Sequence, residues 1–81
     1  MNLIVTDVGP REVIRWGVGM ICFAKLITTY RVSDGYVFIN VPVNVEGFAT
    51  NCPDAEARAE HQGQAEARMA WANHHITQPH A

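Results

Sequence analysis

Apolar and polar residues alternate on both sides of Asp34-Gly35. Leu26, Thr28, Tyr30 and Val32 share one parity before the dipeptide. Val37, Ile39, Val41, Val43 and Val45 share one after it. Side chains of a strand point alternately to opposite faces, so the pattern predicts an antiparallel pair with one apolar face. Asp-Gly suits the tight turn between the strands, because glycine adopts positive φ without a Cβ clash. A two-residue turn pairs Val32 with Val37, Tyr30 with Ile39 and Thr28 with Val41. The other face is mixed: Lys25, Ile27, Thr29, Arg31, Tyr36, Phe38, Asn40, Pro42 and Asn44. Pro42 offers no N–H to a neighbouring strand, so the second strand, about 36–45, is expected at an edge or with a bulge.

The period changes after Pro53. An alanine-rich stretch over about 53–75 predicts a helix, since alanine is the best helix former. Pro53 fits the first turn, and Asp54 and Glu56 complement the positive end of the helix dipole. Ala65, Met69, Ala72 and Ile76 recur at helical spacing and form the expected stripe against the sheet. Gly63 is expected to kink or break the helix. Residues 3–8 read as a first strand closed by Gly9-Pro10. Residues 10–24 read two ways. They are part of a strand over 13–32, with Ile14, Trp16, Val18, Met20, Cys22 and Ala24 continuing the apolar parity of Leu26, or a helix that starts at Pro10. Gly17 and Gly19 favour the strand. The expected fold is α+β: a small antiparallel sheet packed on one face by a C-terminal helix. Its order is ββββα, or βαββα if residues 10–24 are helical.

Composition narrows this further. The chain has 81 residues, 48% of them apolar and 17% charged. That suits a single small domain over 1–81 with a core. A domain this small is near the lower limit of self-sufficient stability, which brings a homodimer or a larger partner into view. The formal net charge is -2. Residues 1–44 carry four cations and three carboxylates, and residues 45–81 carry two and five, so the C-terminal part is mildly acidic. That is a solvated helix face or a surface that meets a basic partner. Met1 to Val5 lacks the basic segment that opens a secretory signal. The longest apolar run, Trp16 to Ala24, falls short of the roughly 20 residues of a membrane span. The expectation is a cytoplasmic protein without membrane contact, in the host cytoplasm if it is phage-encoded.

Candidate chemistry is sparse. Cys22 and Cys52 form no C-x-x-C and are expected as free thiols. His61, His74, His75 and His80 match no metal-ligand spacing and read as a polar helix end. Ser33 is the only serine and falls in the expected turn. No phosphate-binding glycine loop is present. The expectation is no catalytic residue, metal or cofactor, and a protein that is not an enzyme.

Gly35-Tyr36-Val37-Phe38-Ile39 resembles the third-strand signature of the RNA recognition motif, and Leu3 to Val8 is faintly similar to that family's first strand. The resemblance implies that Tyr36 and Phe38 stack on bases. Asp34 stands where the family prefers a basic residue, and Ile4 where it has an aromatic.

The function expected first is a small protein-binding module or inhibitor that docks on a larger protein or ribonucleoprotein complex. By analogy of size, phage-encoded anti-defence proteins of the anti-CRISPR type belong to this class. The alternative is an RNA- or DNA-binding domain that uses the outer sheet face. The expected binding residues are Arg31, Tyr36, Phe38 and Asn40 on the hairpin, and Asp54, Glu56 and Glu60 on the helix.

Overall fold

A computed structural model describes residues 2–77 of the chain, with side chains through His74. Four strands precede one helix: β1 (Ile4–Asp7), β2 (Glu12–Val18), β3 (Ile21–Ser33), β4 (Phe38–Ala49) and α1 (Cys52–Thr77). All pairings are antiparallel. The architecture is the expected α+β one, in the order ββββα.

β3 is the axis of the sheet. β4 pairs along one of its edges, from Cys22↔Ala49 to Ser33↔Phe38. β1 and β2 lie end to end along the other, opposite residues 30–33 and 21–27. Together they behave as one strand interrupted at Gly9-Pro10, whose peptide bond is cis. Residues 10–24 thus form strand and turn and no helix, and the strand expected over 13–32 is two strands joined at Gly19-Met20. Gly19 takes a positive φ, a left-handed conformation that glycine adopts freely. This turn pairs Val18 with Ile21, so odd residues of β3 share a face with even residues of β2. Ile14, Trp16 and Val18 therefore lie opposite the face that their parity with Leu26 implied.

The Asp34-Gly35 connection is longer than a two-residue turn. The Asp34 carboxylate accepts the N–H groups of Tyr36 and Val37, and Ser33 Oγ accepts that of Gly35. These bonds hold residues 34–37 in a four-residue loop, so Val32 pairs with Ile39 and Tyr30 with Val41. The register differs from the expected one by two residues, which leaves the side chains of the paired residues on their expected faces and moves Tyr36 and Val37 off the strand into the loop. Val37, expected in the core, stands in the loop and is exposed.

The Thr29 carbonyl accepts the Val8 N–H at 2.9 Å, so the backbone of Thr29 faces the β1 side. Its pair with Pro42 exchanges no hydrogen bonds, and the Pro42 nitrogen points to the free edge of β4, where its missing N–H costs nothing. The strand is an edge, as Pro42 implied.

α1 packs on the face formed by Ala24, Leu26, Tyr30, Val32, Val43 and Val45. Asn51 caps it: Asn51 Oδ1 accepts the Asp54 N–H and Asn51 Nδ2 donates to Asp54 Oδ2, both at 2.9 Å. The reciprocal pair satisfies a backbone donor that the first turn would otherwise leave open. The buried stripe of the helix is Ala55, Ala59, Gly63, Ala67 and Trp71. Ala65, Met69 and Ala72 of the expected stripe are exposed, and the side chain of Ile76 lies outside the described residues. The cause is the gap between the layers. A Cβ on Gly47 of β4 would stand 2.4 Å from the Ala55 carbonyl oxygen, so only small residues fit there. Gly63 does not end α1; it lies against the Tyr30 ring. Only at the far end does a large side chain, Trp71, fill the space among Tyr30, Val32 and Val43.

Cys22 and Cys52 are joined in a disulfide, not free. It ties the start of α1 to the start of β3. No helix among the described residues is long and apolar enough to cross a membrane.

Candidate interaction surface

A single helix covers one face of the sheet, and the other is open. Strand pairing arranges its side chains in rows across the strands. At the loop end lie Ile4, Ser33 and Phe38, then Thr6, Arg31 and Asn40. The middle rows hold Thr29 and Pro42, then Glu12, Ile27 and Asn44, then Ile14, Lys25 and Glu46. At the far end come Trp16, Phe23 and Phe48, and finally Val18 and Ile21.

The loop end brings together the hairpin residues expected from sequence. Arg31 lies over Phe38 with its guanidinium carbon 4.3 Å from the ring centroid, close enough for a cation–π contact. Its Nε donates to Asn40 Oδ1 at 3.2 Å. Phe38 is 55% exposed and Tyr36, at the loop tip, is 95% exposed. The cation lies over the aromatic face while both side chains remain exposed.

The acidic residues do not form one surface with them. Glu56 is paired with Arg15 of β2, and Glu60 with Arg11 between β1 and β2. These two carboxylates fasten the helix to the β1–β2 edge and are neutralised within the chain. Asp54 is exposed and lines a groove of about 240 Å³ with Ile21, Phe48, Thr50 and Arg58, at the opposite end of the sheet from Tyr36.

A polar cluster holds the β1–β2 break. Asp7 accepts hydrogen bonds from the Thr28 hydroxyl, the Gly9 N–H and Arg11 Nη1, and Arg11 also reaches Glu60. Burial pushes the Asp7 carboxyl up, but its hydrogen bonds from Thr28 and Arg11 outweigh this and hold it below its ordinary value. The bond to Asp7 keeps the Arg11 guanidinium more firmly protonated. Burial, then the charge of Asp7, raises the Tyr30 hydroxyl. Every charged member has an opposite charge beside it, so the cluster is a clamp. Among the described residues no three His, Cys, Asp or Glu side chains gather as a metal would require.

Sequence reasoning missed the far end of the open face. Trp16 and Phe23 stack with centroids 5.4 Å apart and planes 8° from parallel, and Phe48 adjoins Phe23 at 5.9 Å. Ile14, Val18, Met20 and Ile21 surround this row and are exposed. The signal available was the outer parity of Phe23, Ile27 and Phe48, but Trp16 joins them only once the Gly19-Met20 turn is recognised. Phe48 and Phe38 stand at opposite ends of β4, so the aromatic row and the loop-end cluster are separate. No protein-family model, curated protein or solved structure matches the chain.

Proposed function

We propose that this chain is a non-enzymatic binding module or inhibitor that docks on a larger protein or ribonucleoprotein complex through the loop end of its open sheet face. One observation carries the reading: Arg31, stacked on Phe38 and bonded to Asn40, lies at the same end of the sheet as the loop that carries a 95% exposed Tyr36. Tyrosine and arginine are the residue types enriched where interfaces draw their energy, and a side chain already held in place loses less entropy on binding. Glu56 and Glu60 fall outside this surface because they serve the helix clamp. A phage-encoded anti-defence protein of the anti-CRISPR type is one form of this reading, supported by small size alone. The Cys22–Cys52 bond suits an oxidising compartment better than the reducing cytoplasm.

The second reading is RNA or DNA binding on the same face, favoured by Tyr36, Phe38 and Arg31 together. Against it, the open face carries Glu12 and Glu46 alongside Lys25 and Arg31, which leaves it without net positive charge for phosphates. Affinity capture with the wild-type chain and with Phe38→Ala and Arg31→Ala variants separates the two. A protein recovered by the wild type and lost by both variants supports docking. Nuclease-sensitive recovery of RNA or DNA supports the second reading. A protein retained equally by all three assigns the contact to another surface.

A further inference from the structure

We infer that the far end of the open face is a self-association surface, where a second copy of this chain packs sheet against sheet around Trp16, Phe23 and Phe48. The rings form a continuous strip across three strands, with Ile14, Val18, Met20 and Ile21 around it. Val18 is 62% exposed, Phe48 56% and Met20 90%. Together the exposed members of this group present on the order of 600 Å² of surface, at the upper limit of what monomers leave exposed and close to the roughly 800 Å² that each partner contributes to a standard interface.

Three features favour a second copy as the occupant. First, the strip is crossed by no charge, and its rim carries both signs: Lys25 lies opposite Glu46 in the adjacent row, with Glu12 one row further on. An isologous contact sets a patch against itself, so a rim of one sign would repel its copy, whereas this one allows opposite charges to meet. The same mixed rim suits neither a phosphate backbone nor an anionic lipid surface. Second, two twisted sheets pack face to face with their side chains interdigitating about 10 Å apart, and the bare outer layer of this fold is one half of such an arrangement. The dimer is then a four-layer α/β/β/α sandwich. Third, association through the edge of β4 is obstructed. Pro42 removes a donor from that edge. Arg58 Nη1 caps the Phe48 carbonyl at 3.0 Å.

This surface is distinct from the loop-end docking site. Arg31 stands eight residues along β3 from Phe23, on the order of 26 Å at the rise of an extended strand. A contact centred on the aromatic strip leaves both loop ends uncovered, so the dimer offers its partner two copies of the Arg31–Phe38 site.

The test is sedimentation velocity and light scattering of the full chain across the micromolar range, with Val18→Glu/Phe48→Glu and, separately, Met20→Glu as variants. All three positions are well exposed, and circular dichroism melts verify that each variant is folded. The expected result is twice the 9.0 kDa chain mass for the wild type, the single-chain mass for the double variant, and weakened association for Met20→Glu. Phe38→Ala should remain dimeric, so loss of partner docking and loss of self-association are separable. A wild type with the single-chain mass throughout overturns the inference. So does a double variant that still dimerises. A monomer that co-sediments with phosphatidylcholine vesicles also overturns it, and assigns the strip to lipid.

Discussion

Gly47 of β4 lies so close under Ala55 of α1 that a methyl group on it would stand 2.4 Å from the Ala55 carbonyl oxygen and 2.6 Å from the Ala59 nitrogen. Both obstacles are helix backbone, which cannot turn aside as a side chain can. Gly47→Ala should therefore push the layers apart and cost about 3 kcal/mol. Gly63→Ala meets the edge of the Tyr30 ring at 3.0 Å, a softer obstacle. It also regains about 1 kcal/mol of helix propensity. It should stay within about 1 kcal/mol of wild type by that offset. Urea denaturation of the two variants checks this; equal midpoints would show that the helix does not approach β4 this closely.

The Cys22–Cys52 bond closes a loop with a sequence separation of 30. For a loop of that size chain entropy predicts a stabilisation of about 3–4 kcal/mol. Cys22→Ala/Cys52→Ala should lower stability by that order, and reductant should destabilise the wild type but not the double variant. Identical denaturation curves with and without reductant would count against the bond.

A carboxyl held below its ordinary range stabilises the fold while it is ionised, and that contribution is lost as pH falls through the depressed value. Asp7, lowered from 3.8, should therefore contribute above about pH 4 and progressively less below it. Asp7→Asn is expected to be less stable than wild type at neutral pH and to converge with it in acid. Thermal melts between neutral and strongly acidic buffer measure the gap. A gap that stays constant with pH would mean that Asp7 acts through packing alone.

The Asp34 carboxylate accepts two backbone N–H groups of its own loop. Asp34→Ala should cost about 1–2 kcal/mol, at roughly 1 kcal/mol for each hydrogen bond lost. Hydrogen exchange at Tyr36 and Val37 should accelerate, while amides in the centre of β3 keep the protection expected from the global loss.

The one-sided hairpin was readable from sequence because Leu26, Tyr30, Val32, Val43 and Val45 alternate strictly with polar or mixed residues. Its loop was not, since the bonds of Asp34 and Ser33 lengthen it by two residues without changing the face of any paired residue. The placement of β2 failed for a related reason: the turn at Gly19-Met20 reverses parity, and Gly17 and Gly19, two residues apart in the apolar run Trp16–Ala24, fit a bulge or bend as well as the end of a strand. The helix was found from its alanines and from Pro53, but alanine on every side hides which side is buried. Large residues such as Met69 are a poor guide where the layers are too close to admit them. Arg31, Phe38 and Asn40 of the candidate surface followed from parity, whereas Tyr36 stands in the loop and not on the strand where parity placed it. The aromatic strip needs three strands in register, and the disulfide needs the fold itself, because two cysteines at such a separation carry no spacing signal.

The disulfide also encloses a defined stretch of chain. From Cys22 to Cys52 it forms a closed ring containing most of β3, the loop and all of β4. The loop tip of that ring carries the 95% exposed Tyr36. Exposed tips of this kind are where proteases cut first. A cut there opens the ring without releasing anything. The two pieces stay joined at the opposite side through sulfur, with β1, β2 and β3 on one and β4 with α1 on the other, still paired along the whole of β3. Cleavage at this tip thus produces a nicked molecule, heavier only by the water added, that comes apart only when it is both unfolded and reduced. The exposed tip can be severed without scattering the fold that presents it.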